Sequence, residues 1–298
     1  MKMPKISLGS WAFSFGPFES NPWTLSQVSQ YCADAGYDGI EINGFRPHPH
    51  PDEYNTAEKC AELKRELSNL GLGISGYAPD FRHVPPAEVD TSVFLVEVVK
   101  MIAFMNRLDI SVLRVDTVSS PTEYSSADYE ARFKKLTDNW RAASEECSKN
   151  GIVMVWEYEP GFWLNKPSEV KRAVETVGHD SFRLLFDTSH SYMGAVIGAR
   201  QTGTKETLPG GVAEYARYLE GHIGHLHLID SDGTLHNDET STHTPFGEGF
   251  INFREVLTDL KPSLENLEWW CVDFCFCPTT EEDGRKAIPY LRNLVEKI

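Results

Sequence analysis

Eight times along this chain a short run rich in β-branched and aromatic residues gives way to a longer amphipathic stretch, and that alternation limits the fold more than any other feature. The runs are KISLGSWAF (5–13), YDGIEING (37–44), LGISGYA (72–78), ISVLRVDT (110–117), GIVMVWEYE (151–159), FRLLFDT (182–188), GHLHLID (224–230) and EWWCVDFCF (268–276). Helix signals stand between them. Thr24-Leu-Ser-Gln27 is a capping box for a helix that Gly36 closes, Asn55 or Thr56 opens the next, and Pro167-Ser168 leads into EVKRAVETVG. Parallel strands need helical crossovers, and near-continuous apolar strands suit burial on both faces. The pattern therefore predicts an α/β fold, a single (β/α)8 TIM barrel over residues 1–298 with no linker or repeat to divide it.

Composition narrows the function. A formal charge of -16, from 44 acidic and 28 basic residues, with no basic stripe, argues against nucleic acid. No apolar run reaches the roughly 20 residues that span a bilayer. The segment MKMPKISLGSWAF lacks the apolar core and cleavage site of a secretory signal, so a cytoplasmic protein is expected. Of six cysteines, Cys32, Cys60 and Cys147 fall on predicted helices and Cys271, Cys275 and Cys277 crowd one apolar stretch. Their spacing is not that of a zinc finger, and reduced core thiols are the expectation.

Polar residues close the apolar strands of the C-terminal half. Strand five ends with Glu157 and Glu159, two apart and so on one face; strand six ends with Asp187, and His190 lies just beyond; strand seven carries His225 and His227 and is followed by Asp230; strand eight contains Asp273. Consecutive barrel strands are neighbours, so Glu157, Asp187, His227 and Asp273 are expected to meet around one ion at the C-terminal mouth. Three carboxylates and an imidazole form a hard donor set, suited to Mn2+ first, with Mg2+, Co2+ and Zn2+ as alternatives. Unpaired carboxylates inside apolar strands need such compensation, and the only strand arginines are Arg114 and Arg183. Two long loops also leave this face, after strands six and seven.

The runs WEYEPG, FDTSH, HLHLID and THTPFGEGFINF, with YDGIEI at strand two, resemble the sugar phosphate isomerase/epimerase superfamily, the xylose-isomerase-like TIM barrels. The resemblance implies a divalent metal held by Glu157, Asp187, His227 and, in place of the family's last glutamate, Asp273, with His190 touching substrate. It also implies Glu157 and the strand-eight carboxylate as acid/base groups, although Asp273 is one methylene shorter and its reach to a substrate carbon is in question. Glu159 is expected to be a general base or to orient a ligand, and His243 and Glu248 to contact substrate from a loop that closes over the site. Glu41 is expected to bind substrate from the opposite wall. Trp11, Phe13 and Trp163 are candidates for stacking on a sugar ring or for packing.

The function so implied is proton abstraction beside the carbonyl of a keto-sugar or related carbohydrate, giving an isomerase or epimerase. If the intermediate expels a β-substituent, the outcome is a lyase or dehydratase, resembling inosose dehydratases or 3-oxo-glycoside-cleaving and C-deglycosylating enzymes. An AP-endonuclease-like site would recruit His48, His50 and His83, against the acidic charge. A non-catalytic sugar-binding module would not need four ligands. The expected partner is a small carbohydrate, without a phosphate cradle, and the family suggests a homo-oligomer.

Overall fold

A computed structural model describes residues 3–298 of the chain. Eight parallel strands close into a barrel: β1 (Lys5–Gly9), β2 (Gly39–Asn43), β3 (Gly73–Ala78), β4 (Val112–Val115), β5 (Val153–Glu157), β6 (Phe182–Asp187), β7 (Ile223–Leu228) and β8 (Trp269–Val272). Each pairs with its sequence neighbours, and β8 returns to β1 through Lys5–Trp269, Ile6–Trp270, Ser7–Cys271 and Leu8–Val272. The main outer helices are α1 (Leu25–Ala35), α2 (Ala57–Asn69), α3 (Thr91–Leu108), α4 (Ser126–Lys149) and α5 (Pro167–Val177). Beyond these come the short α6 (Thr188–Tyr192), then α7 (Gly211–Tyr218), α8 (Phe253–Leu264) and α9 (Thr280–Val295).

Local chemistry accounts for the helix ends. Thr24 and Gln27 form the capping box of α1, and Gly36 ends that helix at φ 85°. Thr56, not Asn55, caps α2. The fifth helix begins at Pro167 rather than after Ser168, since proline at the first helical position lacks only an N–H that would be unpaired there. Strands are shorter than the sequence runs suggest. The segment expected to continue β1 to residue 13 leaves the sheet after Gly9 as a 3-10 helix, Ser10–Phe13, which folds the Trp11 indole back over Gly9. A Cβ at residue 9 would lie 2.3 Å from that ring, so glycine is needed for the turn. Likewise Glu159 stands two residues beyond β5 and Asp273 one beyond β8.

Side-chain alternation separates two environments. Trp156 packs against Trp140 of α4 at 4.9 Å between ring centroids, and Phe186 approaches Tyr215 of α7, so these even positions join the apolar layer under the helices. Glu157, Asp187, His225 and His227 take the opposite face. A register shift at Leu184/Leu185 sets Leu185 against His225 and Asp187 against His227, while His227 pairs with Cys271. That bulge levels the polar ends of three strands. The expected loop after β6 is instead largely helical at its start, α6 continuing into a π-helical turn at Met193–Ile197.

Candidate active site

Glu157, Asp187, His227 and Asp273 converge so that one ligand atom from each lies within 4.8 Å of the others, all four residues being buried. Each is held from behind by a different neighbour. Arg114, from β4, donates through Nε to Glu157 Oε2 at 2.6 Å and also reaches Asp116 (3.1 Å) and Glu159 (3.6 Å). Burial works to raise the Glu157 pKa, but Arg114 and His227 outweigh it and bring it down to about 2. Asp187 divides its oxygens: Oδ1 accepts the His190 N–H at 2.7 Å, capping α6, while Oδ2 is buried without a hydrogen-bond partner. Desolvation, with Asp273 and Glu157 nearby, pushes its pKa up to about 7 despite His243.

His227 turns Nδ1 towards Glu157 Oε1 (3.0 Å) and Asp273 Oδ2 (3.5 Å), and Nε2 towards both oxygens of Glu41 (3.3 Å). Glu41 also faces His225 Nε2 at 2.7 Å. Although burial disfavours it, these carboxylates hold His227 well towards the protonated form. A cation would take the place of the Nδ1 proton and leave Nε2–H donating to Glu41, the usual way a carboxylate fixes a ligating imidazole. Asp273 Oδ1 accepts Trp11 Nε1–H at 2.7 Å and the Cys275 N–H at 2.9 Å, and His243 Nδ1 lies 3.2 Å away. Its other oxygen faces His227. Despite burial, the two imidazoles hold Asp273 well below the usual carboxylate range.

The site fits a divalent cation on its own chemistry. Three carboxylates meet at one buried point, and the partnerless Asp187 Oδ2 is an acceptor that the protein does not satisfy.

Beside this cluster, Glu159 accepts from Thr240 Oγ1 at 2.5 Å, and burial chiefly, with Glu157 adding and Arg114 opposing, raises its pKa to about 7. His190 sets Nδ1 against Ser241 Oγ at 2.8 Å and Nε2 3.9 Å from Glu157; burial lowers its pKa to about 3, so it is neutral. His243 closes the other side, its ring 5.3 Å from that of His190. Glu248 is exposed, outside this group. Its loop is tied down by Asp230, whose carboxylate accepts backbone N–H bonds from Ser231, Gly247, Gly249 and Ile251 at 2.9–3.1 Å.

Several residues stand elsewhere than expected. Glu41 has no exposed surface and lies behind His227, so no substrate reaches it directly. Phe13 stacks on Trp23 in the core, and Trp163 packs against Tyr124 and Tyr129. His48 is bonded to Ser10 and the Trp23 carbonyl, while His50 and His83 lie beside Asp52 and Glu97; among the described residues none of the three joins a ligand cluster. All six cysteines are free, and no cluster among the described residues contains more than one of them.

Sequence reasoning missed the support. Arg114 was legible as an arginine inside an apolar strand, but its three carboxylate partners were not. Thr240 and Ser241 belong to a small hairpin, Leu235–His236 against Thr240–Ser241, whose Asn237 and Asp238 both have positive φ as a type I′ turn requires. The Asn-Asp pair was its only signal.

Comparison with known proteins agrees with the fold. The chain is 23% identical over 244 residues to fructoselysine 3-epimerase of Shigella flexneri, covering 77% of this chain and 78% of that protein. Its fold is similar to that of a probable 3-DHS dehydratase from Bacillus anthracis (TM-score 0.72, 14% identity, 97% of this chain and 99% of that one). It is also similar to D-psicose 3-epimerase from Clostridium cellulolyticum H10 (TM-score 0.70, 14% identity, 97% and 99%). A family model described as xylose isomerase-like TIM barrel matches residues 29–294, nearly the whole barrel, and the chain belongs to that family.

Proposed function

We propose that this chain is a divalent-metal-dependent enzyme that removes a proton beside the carbonyl of a keto-sugar or related carbohydrate, with isomerisation or epimerisation as the outcome. The observation that carries the reading is the convergence of Glu157, Asp187, His227 and Asp273 on one buried point, with Asp187 Oδ2 lacking any protein partner. Similarity to a sugar 3-epimerase supports it. A cation there, Mn2+ by preference for so oxygen-rich a set, supplies Lewis acidity that polarises a carbonyl oxygen and acidifies the adjacent C–H.

The residues around the cluster divide the remaining work. Arg114 keeps Glu157 ionised. Glu159 is the proton acceptor: it sits beside the cluster, its position is fixed by Thr240 and Arg114, and its pKa of about 7 suits both uptake and return of a proton. Neutral His190, steadied by Ser241, offers Nε2 to a substrate hydroxyl. Buried Trp11, His243 and Ser241 stand around the cluster.

One observation favours a second reading, elimination by a lyase or dehydratase. Asp273 Oδ1 already faces Trp11, His243 and the Cys275 amide, so this short carboxylate is poorly placed to act as a second base across a sugar ring. Incubating Mn2+-loaded protein with keto-sugars and 3-oxo-glycosides in D2O, followed by NMR, tests both. Solvent deuterium in a new stereoisomer or positional isomer supports the first reading, and deuterium with loss of a substituent supports the second. No exchange with a sugar shown to bind would overturn proton abstraction.

A further inference from the structure

We infer that Asp187, His190 and His243 form a second divalent-cation site, a zinc site, beside the four-residue cluster and sharing Asp187 with it. The inference rests on the proposed reading that the Glu157–Asp187–His227–Asp273 cluster holds the first cation.

One ligand atom from each of the three residues lies within 4.8 Å of the others, and all three residues are buried. They come from separate elements: Asp187 ends β6, His190 stands in α6, and His243 follows the hairpin after β7. The two imidazoles are prepared in the same way. Each has Nδ1 engaged by the protein, that of His190 by Ser241 Oγ at 2.8 Å and that of His243 by Asp273 Oδ1 at 3.2 Å. Nε2 is left as the free nitrogen of both. His243 Nε2 is buried with no hydrogen-bond partner among the described residues, and His190 Nε2 is 3.9 Å from Glu157 Oε1, beyond hydrogen-bond reach. A ligating imidazole has this form, one nitrogen for the metal and the other held by an acceptor. Since Asp187 Oδ2 also lacks a partner, each of three adjoining residues keeps one atom that the protein does not satisfy.

This donor set differs from that of the first site. Two imidazoles and one carboxylate match the open zinc centres in which three protein ligands leave a fourth position for water or substrate, so Zn2+ is the expected ion, with Co2+ next. Charge points the same way. Asp116, Glu157, Glu159, Asp187 and Asp273 gather at this end of the barrel with the Arg114 guanidinium among them. With these carboxylates ionised and the imidazoles neutral, one dication leaves a net negative charge and a second neutralises it. Against burial, Asp273 draws a proton onto His243 in the metal-free protein, and a cation takes that proton's place at Nε2. The substrate hydroxyl offered to His190 under the proposed function then meets the ion, so the carbonyl and the adjacent hydroxyl of an α-hydroxy ketone are shared between two cations.

The test counts metal rather than turnover, so that it stands apart from the deuterium-exchange experiment. The purified full chain is stripped with EDTA, loaded with Zn2+, desalted and assayed for zinc by elemental analysis, beside His190→Asn and His243→Asn. Asparagine keeps an amide nitrogen near the Nδ1 position, for the bonds to Ser241 and Asp273, and has nothing in place of Nε2. Wild type should hold about two zinc ions per chain and each variant about one. X-ray absorption at the zinc edge of doubly loaded wild type should show on average more than one imidazole per zinc, because His227 is the single imidazole of the first site; should a variant unfold, this measurement decides. One zinc ion in the wild type would overturn the second site and leave the first standing, whereas none would overturn both. Two ions retained in folded variants, or an average of one imidazole or fewer, would put the second ion elsewhere and overturn the inference.

Discussion

Glu157 and Glu159 are two residues apart, yet their surroundings assign them different work. Arg114 and His227 hold Glu157 as an anion against burial, whereas Glu159, farther from Arg114, is left with a pKa of about 7. Glu157→Gln should therefore lose metal and activity together. Glu159→Gln should keep metal by elemental analysis and lose about 10²–10⁴-fold in kcat, the usual worth of a positioned base. The sign of the titration follows from its causes. Glu159 gives up its proton as pH rises through its pKa, and Glu157's charge is part of what raises that value. Cation binding at Glu157 offsets this push, so the Glu159 carboxyl signal in 13C NMR should titrate lower in metal-loaded than in metal-free protein; an equal or higher midpoint would contradict the arrangement. Glu41 acts one layer further back, through His227 Nε2. Glu41→Gln should weaken metal binding about 10–100-fold by titration calorimetry, an effect expected of a group that orients a ligand.

Among the elements, the segment after β7 has the most to do. Its hairpin joins opposite sides of the mouth: Thr240 meets Glu159, Ser241 meets His190, and His236 lies on Phe276. Asn237 and Asp238, both at positive φ, turn the chain, and the Glu239 N–H closes the turn on the His236 carbonyl. The following loop, expected to close as a lid, is fastened by the four backbone bonds to Asp230, which is 1% exposed. The amides of Gly247, Gly249 and Ile251 should thus exchange slowly even without ligand. Asp230→Ala should free them and lower stability by about 2–4 kcal/mol in urea unfolding, because several buried donors lose their acceptor together.

At the scale of the molecule, gathering three carboxylates at the mouth is unfavourable for the empty fold. Asp187, raised to about 7 chiefly by burial, carries much of that conflict. Adding Mn2+ at about 100 times Kd should stabilise the protein by about 2.7 kcal/mol, seen as a Tm several degrees higher. Asp187→Asn should abolish that increment, and its metal-free Tm should equal or exceed the wild-type value, since neutralising one carboxylate relieves the repulsion. A metal-free Asp187→Asn protein much less stable than wild type would show that Asp187's helix cap outweighs its charge.

How much was legible depends on distance along the chain. Alternating strands and amphipathic helices fixed the barrel, because periodicity and caps act within a few residues. The four converging residues were also readable: a barrel sets consecutive strands side by side, so a polar residue closing each of four successive strands must meet the others near the mouth. Short-range sequence carried no trace of what stands behind them. That Glu41 serves His227 rather than a sugar, that Arg114 reaches Glu157 and Glu159 on and just beyond the next strand, and that Trp11 and His243 meet at Asp273 are contacts between residues 30 to more than 250 positions apart. Strand tilt, the bulge at Leu184/Leu185 and the fold-back at Gly9 choose those partners, and only closure of the barrel determines them together.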